Sequence, residues 1–127
     1  MKTLINPDFL PKSRGIFSPA IKVDLGNAEM IFVAGVMARE NLNKPTEDQA
    51  EEIFNTIEKI LNAAGASMDD VVKAQIFLTN INDFSDVSPI RDRYFANAKP
   101  VSTMVEVSAL ARQGATIEIE VIAVKEK

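Results

Sequence analysis

One long segment, from Lys44 to Gly65, constrains the fold most, because its apolar residues recur at helical spacing. It reads KPTEDQAEEIFNTIEKILNAAG. Thr46 and Gln49 match the capping box that begins many helices, and Gly65 suits a helix end. The segment therefore predicts a long helix with an acidic solvated face and one buried face. The apolar positions of that buried face are Ala50, Ile53, Phe54, Ile57, Ile60, Leu61 and Ala64.

Strand-like segments lie on both sides of this helix. Residues 21–35 hold two apolar runs either side of Gly26-Asn27, a pair able to take positive φ, and this predicts a β-hairpin. Residues 101–110 and 115–124 predict two further strands. Residues 69–80 alternate and predict a strand with two faces, one of Val72, Ala74, Ile76 and Leu78, and the other of Val71, Lys73, Gln75 and Phe77.

A second, shorter helix is predicted between the strand at residues 69–80 and the strand at residues 101–110. Ser88 followed by Pro89 fits an N-cap with proline at the first helical position, so this helix should run toward Ala96. The order of elements predicts an α+β fold, with a mixed sheet and two helices on one of its faces. The other face would be uncovered and partly apolar, so we expect copies of the chain to associate through it. Its apolar residues include Phe77, Ile122 and Val124.

The chain is expected to form one domain over residues 1–127, because this length is among the commonest for a single domain. Proline and glycine are concentrated near its beginning, where they favour turns and irregular structure. The positions are Pro7, Pro11, Gly15 and Pro19. Residues 1–19 are therefore predicted to be an irregular arm that ends at a short edge element.

Composition excludes several kinds of chemistry. The chain has neither cysteine nor histidine, so it offers no disulfide, thiol nucleophile, thiolate metal site or imidazole base. Dispersed Lys and Arg in a chain of net charge −4 argue against a nucleic-acid partner. No apolar run approaches the ~20 residues of a membrane span. The opening MKTLINPDFLPKSRG also lacks the apolar run of a signal peptide. We therefore expect a cytoplasmic protein whose proton chemistry uses carboxylates, lysines, tyrosine or bound water.

Two carboxylates on the last predicted strand are the most informative charges. Glu118 and Glu120 lie two residues apart and so share a face, about 7 Å from each other. Their repulsion is about 0.6 kcal/mol in water and about 2.4 kcal/mol at an effective dielectric near 20. On an open face the pair is ordinary solvated surface. If another subunit covers it, either a cation neutralises the pair or one carboxyl has a raised pKa.

Several blocks resemble, in order and spacing, the RidA/YjgF family of reactive-intermediate deaminases, also labelled endoribonuclease L-PSP. These are IFVAG, AAGASMDDVVKAQIFLTNINDF, VSTMVEVSAL and IEIEVIAV, and the likeness extends from Gly15 onward. The resemblance implies a chorismate-mutase-like subunit assembled as a homotrimer, with small-metabolite clefts between subunits. It also implies hydrolysis of enamines or imines of short 2-keto acids to the keto acid and ammonia, without metal or organic cofactor.

The resemblance also implies roles for individual residues. Gly35 matches a pocket glycine, and Glu118 matches a glutamate that positions the attacking water. In the family, an arginine two residues after a Phe-Pro pair holds the substrate carboxylate, and this position is assigned to Val101 in KPVST. Without that arginine, the substrate loses a bidentate contact that matches a carboxylate in shape and charge.

Other pocket positions depart from the family pattern too. Phe17 in GIFSPA stands for a tyrosine, and Ser88 stands for an asparagine at the entry of the short helix. Thr103 stands where many relatives have cysteine or threonine. Arg14 is a candidate cation to replace the missing arginine.

Two functions follow from this mixture. The first is an imine or enamine deaminase of altered specificity, in which Glu118 positions water and Arg14 or another cation holds the substrate. The second is a non-catalytic metabolite-binding or regulatory trimer, which Val101, Phe17 and Ser88 favour. A ribonuclease is the least favoured reading, because neither a basic track nor a histidine supports it.

Overall fold

The computed structural model describes residues 1–12 and 15–127. In that part of the chain the regular elements are β1 (Lys2–Ile5), β2 (Ala20–Asp24), β3 (Ala28–Met37), α1 (Thr46–Ala63), β4 (Val71–Leu78), α2 (Phe84–Tyr94), β5 (Val101–Glu106) and β6 (Ile117–Glu126). The strands form one sheet in the order β1-β2-β3-β6-β4-β5. Only β4 and β5 pair in parallel; the other neighbours are antiparallel. The predicted α+β order and mixed sheet are confirmed.

The long helix α1 covers one face of the sheet, as its apolar pattern predicts. Its seven predicted apolar positions are all buried, and they join the inward residues of β3, β4 and β6 in one core. Phe54 stacks on Tyr94 at 4.9 Å between ring centroids and meets Phe95 edge-on at 5.4 Å, which ties α1 to α2. No helix in the described part of the chain is long and apolar enough to cross a membrane.

The predicted hairpin is formed by β2 and β3, which pair antiparallel around Gly26. Gly26 has a φ of 95°, a conformation that glycine adopts without strain. The strand β3 runs two residues past Gly35, to Met37, after an irregularity of register between Val33 and Val36.

Both predicted helix starts are wrong in detail. Pro45, not Thr46, occupies the N-cap position of α1, and the Thr46 hydroxyl instead bonds Asp83 Oδ2 and Thr116 Oγ1, each at 2.7 Å. The helix α2 begins at Phe84, four residues before Ser88, because a short 3-10 turn leads directly into it. Pro89 therefore lies inside α2, and the Ser88 hydroxyl donates a hydrogen bond to the Phe84 carbonyl at 2.8 Å.

Two strand predictions also need correction. Residues 1–19 are not irregular throughout. A short edge strand was expected at the end of this segment, but the strand β1 lies at its start and pairs with β2. In β4, Val71 is buried whereas Val72 is 44% exposed. A bulge opposite β6, between Val71 and Lys73, reverses the predicted facing of these first two residues.

Candidate functional site

Among the described residues, neither α1 nor α2 packs on the second face of the sheet, and we call this face the open face. Neighbouring strands pair in register across this face, so one row of side chains runs from β2 to the edge strand β5. The row consists of Ile21, Phe32, Ile122, Lys73 and Val101. Phe32 is 41% exposed and Val101 is 68% exposed. Phe77, Ile122 and Val124 are only half-buried there. The prediction of an uncovered, partly apolar face is confirmed.

Glu118 lies on the open face beside Gly35. Both residues belong to the central pair of strands, and the bulge in β3 brings Gly35 against the glutamate side chain. A Cβ added to Gly35 would overlap Glu118 Oε2 and lie only 2.9 Å from Glu118 Cδ. The carboxylate therefore occupies space that is available only because residue 35 has no side chain.

The pKa of Glu118 is raised above the ordinary value for glutamate. Partial burial is the largest cause, and repulsion from the Glu120 carboxylate adds to it. The positive charge of Arg112 acts in the opposite direction. Within one chain, burial and the neighbouring carboxylate thus raise the pKa of Glu118, while the effect of cover by another subunit stays a prediction. A carboxylate with a raised pKa is a stronger proton acceptor than an ordinary glutamate.

Arg112 is a site residue that the sequence analysis missed. It lies in the loop between β5 and β6, is half-buried, and donates a hydrogen bond from Nη1 to the Ala38 carbonyl at 2.9 Å. A usable sequence signal existed, since Arg112 is the only basic residue between Pro100 and Val124. Nothing in the spacing indicated that the loop folds back to the end of β3.

A cavity of about 400 Å³ adjoins these groups. Gly35, Arg112 and Phe17 line it, with residues of the N-terminal arm on one side and of α1 on another. Glu118 does not line the cavity itself, but its carboxylate lies against Gly35, which does. Three of the predicted site residues are therefore brought together within one chain: Phe17, Gly35 and Glu118.

The other predicted site residues lie elsewhere in the chain. Val101 and Thr103 are on β5, two strands from β6, so about 9–10 Å separates the backbones. Ser88 is on α2, on the helix side of the sheet, with its hydroxyl bonded locally. Arg14 lies outside the described residues, so its proposed role stays a prediction.

The strand β5 carries no positive charge at the position expected for the family arginine. The second residue after Pro100 is Ser102, one position beyond Val101, and both are uncharged. The whole of β5, VSTMVE, contains neither arginine nor lysine. The described residues also hold no group of three or more His, Cys, Asp or Glu side chains arranged to bind a metal ion.

Comparison with known proteins identifies the family. The model of the family described as Endoribonuclease L-PSP matches residues 10–125. A RutC family protein of Pyrococcus horikoshii is 37% identical, with 99% of this chain and 100% of that protein covered. A 2-iminobutanoate/2-iminopropanoate deaminase of Dermatophagoides farinae is 32% identical, with 98% of each covered.

Solved structures agree with this assignment. Rv2704 from Mycobacterium tuberculosis, a member of the YjgF/YER057c/UK114 family, has a crystal structure that is similar to this chain, with 30% sequence identity and a TM-score of 0.82. It covers 97% of this chain and is itself covered to 98%. RidA from an Antarctic Psychrobacter is 30% identical with a TM-score of 0.77, over 95% of this chain and 98% of that one. The chain belongs to the RidA/YjgF family, whose model is described as Endoribonuclease L-PSP.

Proposed function

We propose that the protein hydrolyses imines of short 2-keto acids to the keto acid and ammonia, in clefts between the subunits of a homotrimer. The observation that carries this proposal is the Glu118 carboxyl, held against Gly35 with a raised pKa, beside a cavity lined by Arg112. Relatives named 2-iminobutanoate/2-iminopropanoate deaminase, from Dermatophagoides farinae and Bos taurus, are 32% and 31% identical. They support the same reaction here.

The reaction needs one placed proton acceptor and a water molecule. Glu118 in its ionised form accepts a proton from water as the oxygen attacks the carbon of the protonated imine, which gives a neutral carbinolamine. The protonated Glu118 then gives this proton to the nitrogen. As the C–N bond breaks and ammonia leaves, the hydroxyl proton passes to the Glu118 carboxylate, the C=O bond forms, and the carboxyl finally releases that proton to solvent. The raised pKa makes the Glu118 carboxylate a stronger base than an ordinary glutamate, which favours the first proton transfer, from water.

A trimer would cover the open face and complete the cleft. Exposed apolar side chains such as Phe32, Val101 and Val105 are placed to be buried by a second copy of the chain. Within one chain, Ser88 and Thr103 are remote from Glu118, so they could join the site only from a neighbouring subunit. Measurement of the mass in solution by light scattering tests this assembly: a trimer is expected, and a monomer at micromolar concentration would contradict it.

The reaction is tested with 2-iminobutanoate, generated in situ from 2-aminobutanoate by an amino-acid oxidase with catalase present. The wild-type chain should accelerate ammonia release over buffer, and Glu118→Gln should reduce kcat/KM by about 10²–10⁴-fold. Glu126→Gln is the matched control, because it lies on the same face of β6 about 26 Å further along. No acceleration by the wild-type chain would end the proposal for this substrate.

A second candidate is a metabolite-binding or regulatory trimer without catalysis. The observation that favours it is the uncharged edge strand, where Val101 is 68% exposed and no arginine or lysine is present. Thermal-shift measurements separate the two functions. Stabilisation by 2-oxobutanoate supports the deaminase, whereas stabilisation only by a neutral diketone of the same size, such as 2,3-pentanedione, supports the second function.

A further inference from the structure

We propose that Arg112 binds the substrate carboxylate, replacing from within the same subunit the positive charge that β5 lacks. This inference rests on the proposed function, because it names the residue that selects an anionic substrate at the same site. It assigns the anchor to the loop between β5 and β6, rather than to the edge strand of a neighbouring subunit.

The guanidinium of Arg112 has donors to spare. A guanidinium has five N–H donors, and one hydrogen bond to the Ala38 carbonyl occupies a single nitrogen, Nη1. Among the described residues, no carboxylate lies within 4.0 Å of Arg112. The remaining donors are available for the two oxygens of a substrate carboxylate, which the planar guanidinium matches in geometry.

Arg112 also lies close to the proposed catalytic carboxylate, Glu118. Ala38 directly follows Met37, and Met37 is the residue of β3 paired with Glu118. The charge of Arg112 partly offsets the rise in the pKa of Glu118, yet the two side chains form no ion pair. The guanidinium therefore acts on Glu118 while its donors are not taken up by that carboxylate.

The loop that carries Arg112 is held in place by a buried hub, Gln49. This side chain is fully buried on α1; its Nε2 donates to the Gly114 carbonyl at 3.1 Å, and its Oε1 accepts from the Thr116 N–H at 3.0 Å. The Asn43 N–H donates to the same Gly114 carbonyl at 3.0 Å. A loop fixed in this way presents the guanidinium without a large entropic loss on binding.

Other cations near the site are less suited to this role. Lys12 and Arg39 line the same cavity, but Arg112 is the cation that acts on the pKa of Glu118. Lys73 lies on the open face opposite Val101 and Ile122, in a different row from Glu118. Arg112 alone combines proximity to Glu118, contact with the cavity and a fixed loop among the described residues.

The test measures binding, so it needs no turnover. Dissociation constants of 2-oxobutanoate and its uncharged methyl ester are obtained by NMR titration for wild type, Arg112→Met and Arg112→Lys. Arg112→Met should weaken 2-oxobutanoate binding by about 10- to 100-fold and leave the ester unchanged, because only the acid uses the guanidinium. Arg112→Lys keeps the charge but loses the bidentate geometry, so it should show an intermediate loss.

The control is Lys125→Gln, which removes one positive charge from the same strand as Glu118, about 23 Å along it. Equal weakening of acid and ester by Arg112→Met would indicate a structural role and overturn the inference. Failure of the wild-type chain to bind 2-oxobutanoate would also overturn it. Arg112-dependent binding without any ammonia release would keep the inference and reject the proposed reaction, whereas deamination unaffected in Arg112→Met and Arg112→Lys would do the reverse.

Discussion

The two faces of β6 differ in what determines them. On the covered face, Ile117, Ile119, Val121 and Ala123 are at most 3% exposed and pack in the core. The open face of the same strand carries Glu118 and Glu120 together with the half-buried Ile122 and Val124. Hydrophobic burial alone explains the first face. The second face depends on residues of other segments, such as Gly35 and Arg112. These residues form the surroundings of Glu118, the proposed catalytic group.

The largest effect on stability should come from the covered face. Ile119→Ala removes a fully buried side chain of β6 and should lower the free energy of unfolding by about 2–5 kcal/mol. Val124→Ala, on the half-buried open face of the same strand, should cost less than about 1.5 kcal/mol in the monomer. Urea denaturation of both variants measures the difference. Equal losses would show that the two faces are packed alike.

A second variant examines the close contact between Gly35 and the Glu118 carboxylate on the open face. Gly35→Ala places a methyl group where the Glu118 carboxylate lies. The overlapping atoms are the far end of a flexible side chain that can move aside, so the free energy of unfolding should fall by less than about 1 kcal/mol. Most of that loss should disappear in a Glu118→Ala background, because the overlapping atoms are then absent. A double-mutant cycle measures this coupling. Full additivity of the two substitutions would contradict the close approach of Gly35 and Glu118.

The pH dependence of the reaction should report on the charges around Glu118. Its ionised form is the proton acceptor, so activity should fall as pH drops through its raised pKa. Glu120→Gln removes a repulsion and should move this acidic limb of kcat/KM to lower pH; Arg112→Met removes an attraction and should move it to higher pH. Shifts in the opposite directions would mean that another group controls the limb.

The smallest expected effect is a gain of stability on neutralising Glu118. Because its pKa is raised in the folded chain, ionisation disfavours folding, and the wild-type chain loses stability as pH rises through that pKa. Glu118→Gln should therefore raise Tm by about 1–3 °C at pH 7 and by less at pH 4. Calorimetry at the two pH values checks this sign. A lower Tm at pH 7 would show that the folded chain stabilises the charged form.

The sequence was sufficient for most of the fold because the covered face has a strong periodic pattern. The buried residues of α1 from Ala50 to Leu61, the C-cap Ala64 and the hairpin around Gly26 are determined locally and were predicted correctly. The helix starts were not, because Thr46 finds partners that are distant in sequence, Asp83 and Thr116, which a local capping pattern does not reveal. The first strand, β1, likewise depends on pairing with β2.

The candidate site was predictable only in part, for the same physical reason. Glu118 and Gly35 could be identified from the family resemblance, and the structure brings them into contact. Arg112 could not, because its position depends on a loop held by Gln49, 63 residues earlier in the chain. Contacts between distant segments leave little trace in a single sequence, whereas burial of one strand face leaves a clear one.

A crystal structure with bound 2-oxobutanoate would show directly which groups hold the substrate. We predict that the keto acid lies beside Gly35, with its carboxylate hydrogen-bonded to the Arg112 guanidinium and its carbonyl carbon facing the Glu118 carboxylate. A keto acid bound against Val101 with no cation nearby, or bound away from Gly35 altogether, would contradict this prediction.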